Sequence, residues 1–182
     1  IPEMFTAASR GDLKALWIMG EDILQTDPNT CHVKSSLQGL DLLVVQELFM
    51  TETARIADVV FPASSFLEKE GTFTNGERRI QKVQQVVEPL EGTKPDGQIV
   101  VDMMRRMGYN QEGYTADITL KEIAGIVPFF KGVKWDELGH SGKQWPVRED
   151  GTDTKILHTE TFKRGAGKFH SWDYDIPPEL NE

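Results

Sequence analysis

Three short polar stretches and one isolated acid carry the residue types from which a ligand site could be built: Gly20-Glu21-Asp22, Gln46-Glu47, Lys69-Glu70-Gly71-Thr72 and Asp96. Gly20 permits a tight turn or the close approach of a ligand. An acid at the end of the following strand, where Glu47 stands, can accept hydrogen bonds from ribose hydroxyls. In Lys69 to Thr72 a cation, a small residue and a hydroxyl donor suit a phosphate or a polar heterocycle. The Asp96 carboxylate could accept paired N–H bonds from the Watson–Crick edge of a guanine. Each residue also has a plainer reading: Gly20 ends a strand, Glu47 is a solvated loop acid, and Asp96 caps a helix for about 1 kcal/mol. Taken singly, the plainer readings are favoured. No GxGxxG is present, so the ordinary nicotinamide or flavin fingerprint is missing.

Catalytic constellations are absent. His32, His140, His158 and His170 are scattered without metal-ligand spacing. Cys31, the only cysteine, excludes an internal disulfide and any cysteine-rich zinc or iron–sulfur site built by this chain alone. It is expected to be a buried structural thiol. No residue is assigned as catalytic or as a metal ligand.

The elements that must position the polar stretches follow from periodicity. "PEMFTAASRGDL" is compatible with a helix, and "KALWIMG" with a first strand closing in glycine. "DPNTCHVKSSLQGL" leads to "DLLVVQE", whose unbroken Leu and Val residues suit a parallel strand covered on both faces. "MTETARIA" is a short helix, and "DVVFP" a third strand stopped by Pro62. The alternation predicts an α/β fold with a parallel Rossmann-like sheet flanked by helices. All three strand ends are polar, and ligands bind outside the carboxyl ends of such strands.

After residue 70 the pattern changes. "EGTFTNGERRIQ" predicts a hairpin insertion with a type I′ turn at Asn75-Gly76, Arg78 and Arg79 lying on an exposed strand or holding neighbouring domains. "KPDGQIVVDMMRRMGY" predicts a helix from Asp96, with Val100, Met103, Met104 and Met107 as its core face and Gly108 ending it. "TLKEIAGIV" is a further helix stopped before Pro128. Residues 129–182 are expected to form a loop-rich extension to the α/β unit at 1–128, with a strand at "TKILH" and tryptophans covering core edges.

The chain has 182 residues, ordinary for one substantial domain. With 29 acidic and 20 basic residues its formal charge is −9, which argues against nucleic acid and anionic membranes as partners. No apolar stretch reaches the length of a membrane span. Position 1 is Ile, which suggests a piece of something longer; a reducing, cytoplasmic setting is expected, with a periplasmic one as the alternative.

The stretches "LKALWIMGEDILQTDPN", "LLVVQELFMTETARIADVVFPASSFLEKEGTFTNGERRIQ" and "KPDGQIVVDMMRRMGY" resemble, in order and spacing, molybdopterin oxidoreductases of the dimethyl sulfoxide reductase type. They look most like the alpha subunits of formate dehydrogenases. The resemblance covers nearly the whole chain but only an interior part of such a subunit, the family's third domain. "WDYDIPPELNE" looks like the approach to the missing C-terminal domain. The resemblance implies that this domain holds one guanine dinucleotide arm of a bis-molybdopterin guanine dinucleotide cofactor carrying Mo or W. Gly20, Glu21 and Asp22 would lie near its phosphates and ribose, Gln46 and Glu47 after strand two, Lys69 and Gly71 in the "EKEG" run, and Asp96 at the guanine. Glu21 departs from the asparagine of many relatives, which places its contact in doubt, since a carboxylate near phosphates is unfavourable. The implied [4Fe–4S] cluster and metal ligand lie outside this segment, so the segment alone is expected to be inactive. Its implied partners are the remaining domains of the parent subunit and electron-transfer subunits. A cofactor-free relative, the scaffold of a respiratory-complex iron–sulfur subunit, is the alternative.

Overall fold

A computed structural model describes residues 1–111 and 113–175. The predicted α/β architecture is present: α1 (Pro2–Ser9), β1 (Ala15–Met19), α2 (Ile23–Thr26), α3 (Thr30–Gln38), β2 (Leu42–Glu47), α4 (Glu52–Arg55) and β3 (Val59–Pro62). The strands form one parallel sheet in the order β1-β2-β3, with Trp17 beside Val44 and Val44 beside Val59. Local signals set the helix boundaries. Asn29 caps α3 by accepting from the His32 amide, and Thr51 caps α4 by accepting from the Ala54 amide. The short α2 carries no amphipathic signal of its own. It is held from outside by the Thr53 hydroxyl, which accepts from the Leu24 amide at 3.1 Å.

The core of this unit lies on one face of the sheet. Phe5, Leu24, Val33, Leu37 and Ala54 from the helices pack with Leu43 and Val45, and Leu16, Ile18 and Val60 complete the layer. The opposite face does not meet the expectation of a strand covered on both sides. Along β2 the buried Leu43 and Val45 alternate with exposed Leu42 and half-buried Val44, because the four helices all lie on one side. Cys31 is likewise exposed, since α3 turns Val33, Ser36 and Leu37 inward instead.

The hairpin consists of β4 (Gly71–Thr74) and β5 (Arg79–Val83). Its turn is not the expected type I′, because neither Asn75 nor Gly76 has a positive φ. The Asn75 carboxamide oxygen accepts from the amides of Glu77 and Arg79, and the Arg78 amide donates to the Asn75 carbonyl. Arg78 takes the positive φ of 67°. This is a three-residue loop with a left-handed last position.

That conformation aims the Arg78 guanidinium at the C-terminal extension. It donates to the carbonyls of Trp145, Thr154 and Lys155, and lies 5.7 Å from the Trp145 ring centre. Arg79 reaches the Ser141 carbonyl. The two arginines therefore fasten the hairpin to residues 141–155. Arg78→Ala is expected to cost about 2 kcal/mol, the range for hydrogen bonds to a charged group. Limited proteolysis would show it as faster cleavage between residues 145 and 160, with the parallel sheet still protected.

The helices α5 (Asp96–Arg106) and α6 (Ala116–Ile126) follow, then single 3-10 turns at Pro128–Phe130 and Trp135–Glu137, and β6 (Lys143–Gln144), which pairs with β5. Gly108, at φ 88°, terminates α5 as its spacing predicts. The methionine face does not form its core. Ile99 and Val101 are buried whereas Met107 is 80% exposed, so α5 turns a different side inward. No strand forms at "TKILH", since Arg78 takes the carbonyls of Thr154 and Lys155 there. Trp135 and Trp145 pack against a second cluster of Ile80, Leu120, Val133, Leu138 and Val147, whereas Trp172 is exposed. This cluster draws on residues from both sides of position 128. Most of "WDYDIPPELNE" lies outside the described residues.

Candidate functional site

The carboxyl ends of the three strands converge on one cavity of about 220 Å³, bordered by Gly20, Gln46, Glu47, Ser64, Lys69 and Asp96. Gly20 turns the chain away from β1 at φ 62°, its amide still donating to the Gln46 carbonyl at 2.9 Å. A side chain there would be strained in that left-handed conformation. Beyond β3 the chain runs through buried Ser64, whose amide donates to the Lys94 carbonyl at 2.9 Å. The Lys94 amide donates in turn to the Pro62 carbonyl. This bridge sets the first turn of α5 against the ends of β2 and β3.

Asp96 is the first residue of α5 and not its cap. Pro95 occupies the cap position, and no side chain bonds the free amides there. The carboxylate is spent elsewhere: Oδ1 accepts from Gln46 Nε2 at 2.7 Å, and Oδ2 from Lys69 Nζ. Lys69 is brought to it by a loop that Glu68 fixes, its carboxylate accepting from the amides of Ser65 and Leu90. Residues 46, 69 and 96, far apart in the chain, thus form one hydrogen-bonded group.

Gln46 is fully buried, and its Oε1 has no partner among the described residues. A buried carboxamide oxygen without a donor costs roughly 1–3 kcal/mol, so it calls for an N–H or O–H from a ligand. Burial pushes the Asp96 carboxyl up, but hydrogen bonds from Lys69 and Gln46, together with the Lys69 charge, hold it below its ordinary value of 3.8. Asp96 is therefore an ionised acceptor at neutral pH. A carboxylate with a depressed value adds stability fully present above the unfolded value and lost as pH falls through the folded one. The stability gap between wild type and Asp96→Asn is expected to be constant from neutral pH to about pH 4 and to close below it, as denaturation midpoints at each pH would show.

A second cavity of about 280 Å³ adjoins the first, sharing Phe66, Lys69, Phe73 and Asp96 and adding Glu70, Gly71 and Tyr114. Gly97 lets Tyr114 lie on the backbone next to Asp96, since a Cβ there would fall 2.0 Å from the ring. Burial pushes the Tyr114 phenol up, and the charges of Asp96 and Glu70 add to this.

The expected site residues therefore divide. Gly20, Gln46, Glu47, Lys69 and Asp96 border the first cavity, and Gly71 the second. Glu21 accepts instead from the Thr26 hydroxyl, and Asp22 from the amide and hydroxyl of Thr53, tying α2 to α4. Phe66, Phe73 and Tyr114 carried no sequence signal for the site, whereas Ser64 belongs to the polar end of the third strand, Pro62-Ala63-Ser64-Ser65, to which the strand-end rule points. No group of three or more His, Cys, Asp or Glu that could hold a metal occurs among the described residues. No helix among them is long and apolar enough to cross a membrane.

Residues 1–106 match the molybdopterin oxidoreductase family. The chain is 45% identical over 184 aligned residues to "Probable oxidoreductase YjgC" of Bacillus subtilis, an alignment covering 99% of this chain and 19% of that protein. It is 42% identical over 167 residues to a "Putative formate dehydrogenase" of Staphylococcus aureus, covering 91% of this chain and 17% of the other. Among solved structures, acetylene hydratase from Pelobacter acetylenicus superposes with a TM-score of 0.59 at 26% identity, over 78% of this chain and 20% of that one. The fold is an α/β domain with a polar crevice at the carboxyl ends of its parallel strands, the place at which sheets of this kind bind ligands. The chain belongs to the molybdopterin oxidoreductase family, and it spans about a fifth of the length of the relatives it matches.

Proposed function

We propose that this chain is the part of a molybdenum or tungsten oxidoreductase that binds one guanine dinucleotide arm of a bis-molybdopterin guanine dinucleotide cofactor, and that the parent oxidises formate to carbon dioxide. The observation that carries the reading is the buried, unpartnered Gln46 Oε1 beside the Asp96 carboxylate. The residues fit the group. A guanine edge offers N–H donors at N1 and N2, which a carboxylate accepts as a pair, and an acceptor at O6. Asp96 would take the donor pair, Gln46 Oε1 a further N–H, and Lys69 Nζ would serve O6 or a phosphate. Gly20 and the backbone past β3 leave room for the sugar and phosphates. The name of the Staphylococcus relative supports formate as the parent's substrate.

When bound, the cofactor's metal supplies the two-electron chemistry, while this domain contributes affinity and orientation. Electrons would pass to iron–sulfur centres elsewhere in the parent, and electron-transfer subunits would be its partners. The test is to purify the full-length protein, hydrolyse it in acid, and measure released GMP against metal while assaying formate-dependent dye reduction. GMP released together with metal, and turnover with formate, are expected. Metal without GMP would overturn the nucleotide arm, GMP and metal without formate turnover would overturn the substrate, and absence of both metal and GMP would favour the cofactor-free scaffold.

A further inference from the structure

Two cavities meet at Asp96, and their linings differ. The first, at the strand ends, is bordered mainly by polar groups. The second, of about 280 Å³, is lined largely by Phe66, Phe73, Tyr114, Leu120 and Ile123 beside the Asp96 carboxylate. Phe66 and Phe73 border both cavities and belong to neither core cluster, so the packing of the chain does not account for them. An apolar space with an ionised acceptor at its margin suits a flat heterocycle, whose faces are apolar and whose edge carries N–H donors.

Gly97 shows that the place of Tyr114 is built into the fold. It lies in the first turn of α5 without a positive φ, so its backbone has no need of glycine, and glycine weakens a helix relative to alanine. What it provides is space: a Cβ there would meet three carbons of the Tyr114 ring at 2.0, 2.5 and 2.6 Å. The following residue, Thr115, caps α6 by accepting from the Ile118 amide, which fixes the chain at Tyr114 from the other side. The phenol, pushed up by burial, keeps its proton at neutral pH and brings no charge against Asp96. We propose that the second cavity receives the plane of the base, its donor edge on Asp96 and its face against the Tyr114 ring, so that Tyr114 is a binding residue acting by stacking. This rests on the nucleotide reading above and adds to it a wall for the base. The sugar and phosphates then leave past Phe66 and Phe73 into the first cavity, toward Gly20 and Ser64.

The experiment uses the full-length protein, as purified and as made in a host that lacks the cofactor. Hydroxyl-radical footprinting compares oxidation of Tyr114 in the two forms, with Tyr109, which is outside both cavities, as the internal reference. Oxidation of Tyr114 relative to Tyr109 is expected to be several-fold slower in the loaded form. In a second arm, GMP remaining on the protein is followed during dialysis. Tyr114→Ala is expected to lose it roughly tenfold faster than wild type, the scale of one base–aromatic stack, and Tyr114→Phe, which keeps the ring, at the wild-type rate. Equal oxidation of Tyr114 in both forms, in a preparation that does contain GMP and metal, would overturn this proposal and leave the nucleotide reading standing. Loss from Tyr114→Phe as fast as from Tyr114→Ala would also overturn it, since the hydroxyl and not the ring would then be the contact. Metal without GMP in the purified protein would overturn the nucleotide reading, and the proposal with it.

Discussion

Asp96→Ala in the full-length protein is expected to lower its bound metal and GMP about tenfold or more, since a hydrogen-bonded charge contributes roughly 1.5–3 kcal/mol. The substitution removes the ionised acceptor that Lys69 and Gln46 hold in place. It also leaves the Lys69 ammonium without its counter-charge beside a site built for N–H donors. Lys69→Ala is expected to act in the same direction. Arg79→Ala is the control, because that guanidinium reaches the Ser141 carbonyl on the other side of the hairpin and should leave occupancy unchanged. Metal analysis of the three purified variants, alongside their melting curves, separates loss of cofactor from loss of fold. Equal metal content in all three would remove Asp96 and Lys69 from the site.

The largest effect on stability is expected from Gly132→Ala. A Cβ at Gly132 would sit 1.5 Å from the Arg148 carbonyl oxygen and 3.2 Å from a Val147 methyl, so two backbone segments would have to separate. The Gly132 amide donates to the Val147 carbonyl, and Val147 is 1% exposed within the second core cluster. Overpacking of this kind costs about 3 kcal/mol or more when the opposing atom is backbone. Gly125→Ala is the matched comparison. It lies in α6 with nothing within 4 Å of its Cβ, and should be neutral or stabilising by up to about 1 kcal/mol. Chemical denaturation of both variants measures the difference directly.

What the sequence made legible was the part in which local pattern and global fold agree. Three apolar runs ending in polar residues placed β1, β2 and β3, and the strand-end rule then brought Gln46 and Lys69 into one neighbourhood, to which the family resemblance added Asp96. The failures have physical causes. Asp96 reads as a helix cap by position, yet its carboxylate is drawn away by a lysine 27 residues earlier, a contact that periodicity does not encode. Asn75-Gly76 reads as a tight turn, yet Arg78 takes the left-handed position while its guanidinium binds carbonyls about 70 residues downstream. The unbroken apolar run of β2 signals two faces to be covered, but not that the described helices cover one. Tyr114 and Phe73 carry no motif at all, and only the packing of α6 and the hairpin brings them near Asp96.

The central claim is that Asp96, with Gln46 and Lys69, reads the guanine of a molybdopterin cofactor arm. The structure of the full-length protein with its own cofactor bound tests it most directly. It is predicted to show the N1 and N2 edge of one guanine within hydrogen-bond distance of the Asp96 carboxylate, and Gln46 Oε1 with a donor. A guanine held elsewhere, with Asp96 bonded only to Lys69 and Gln46, would contradict it.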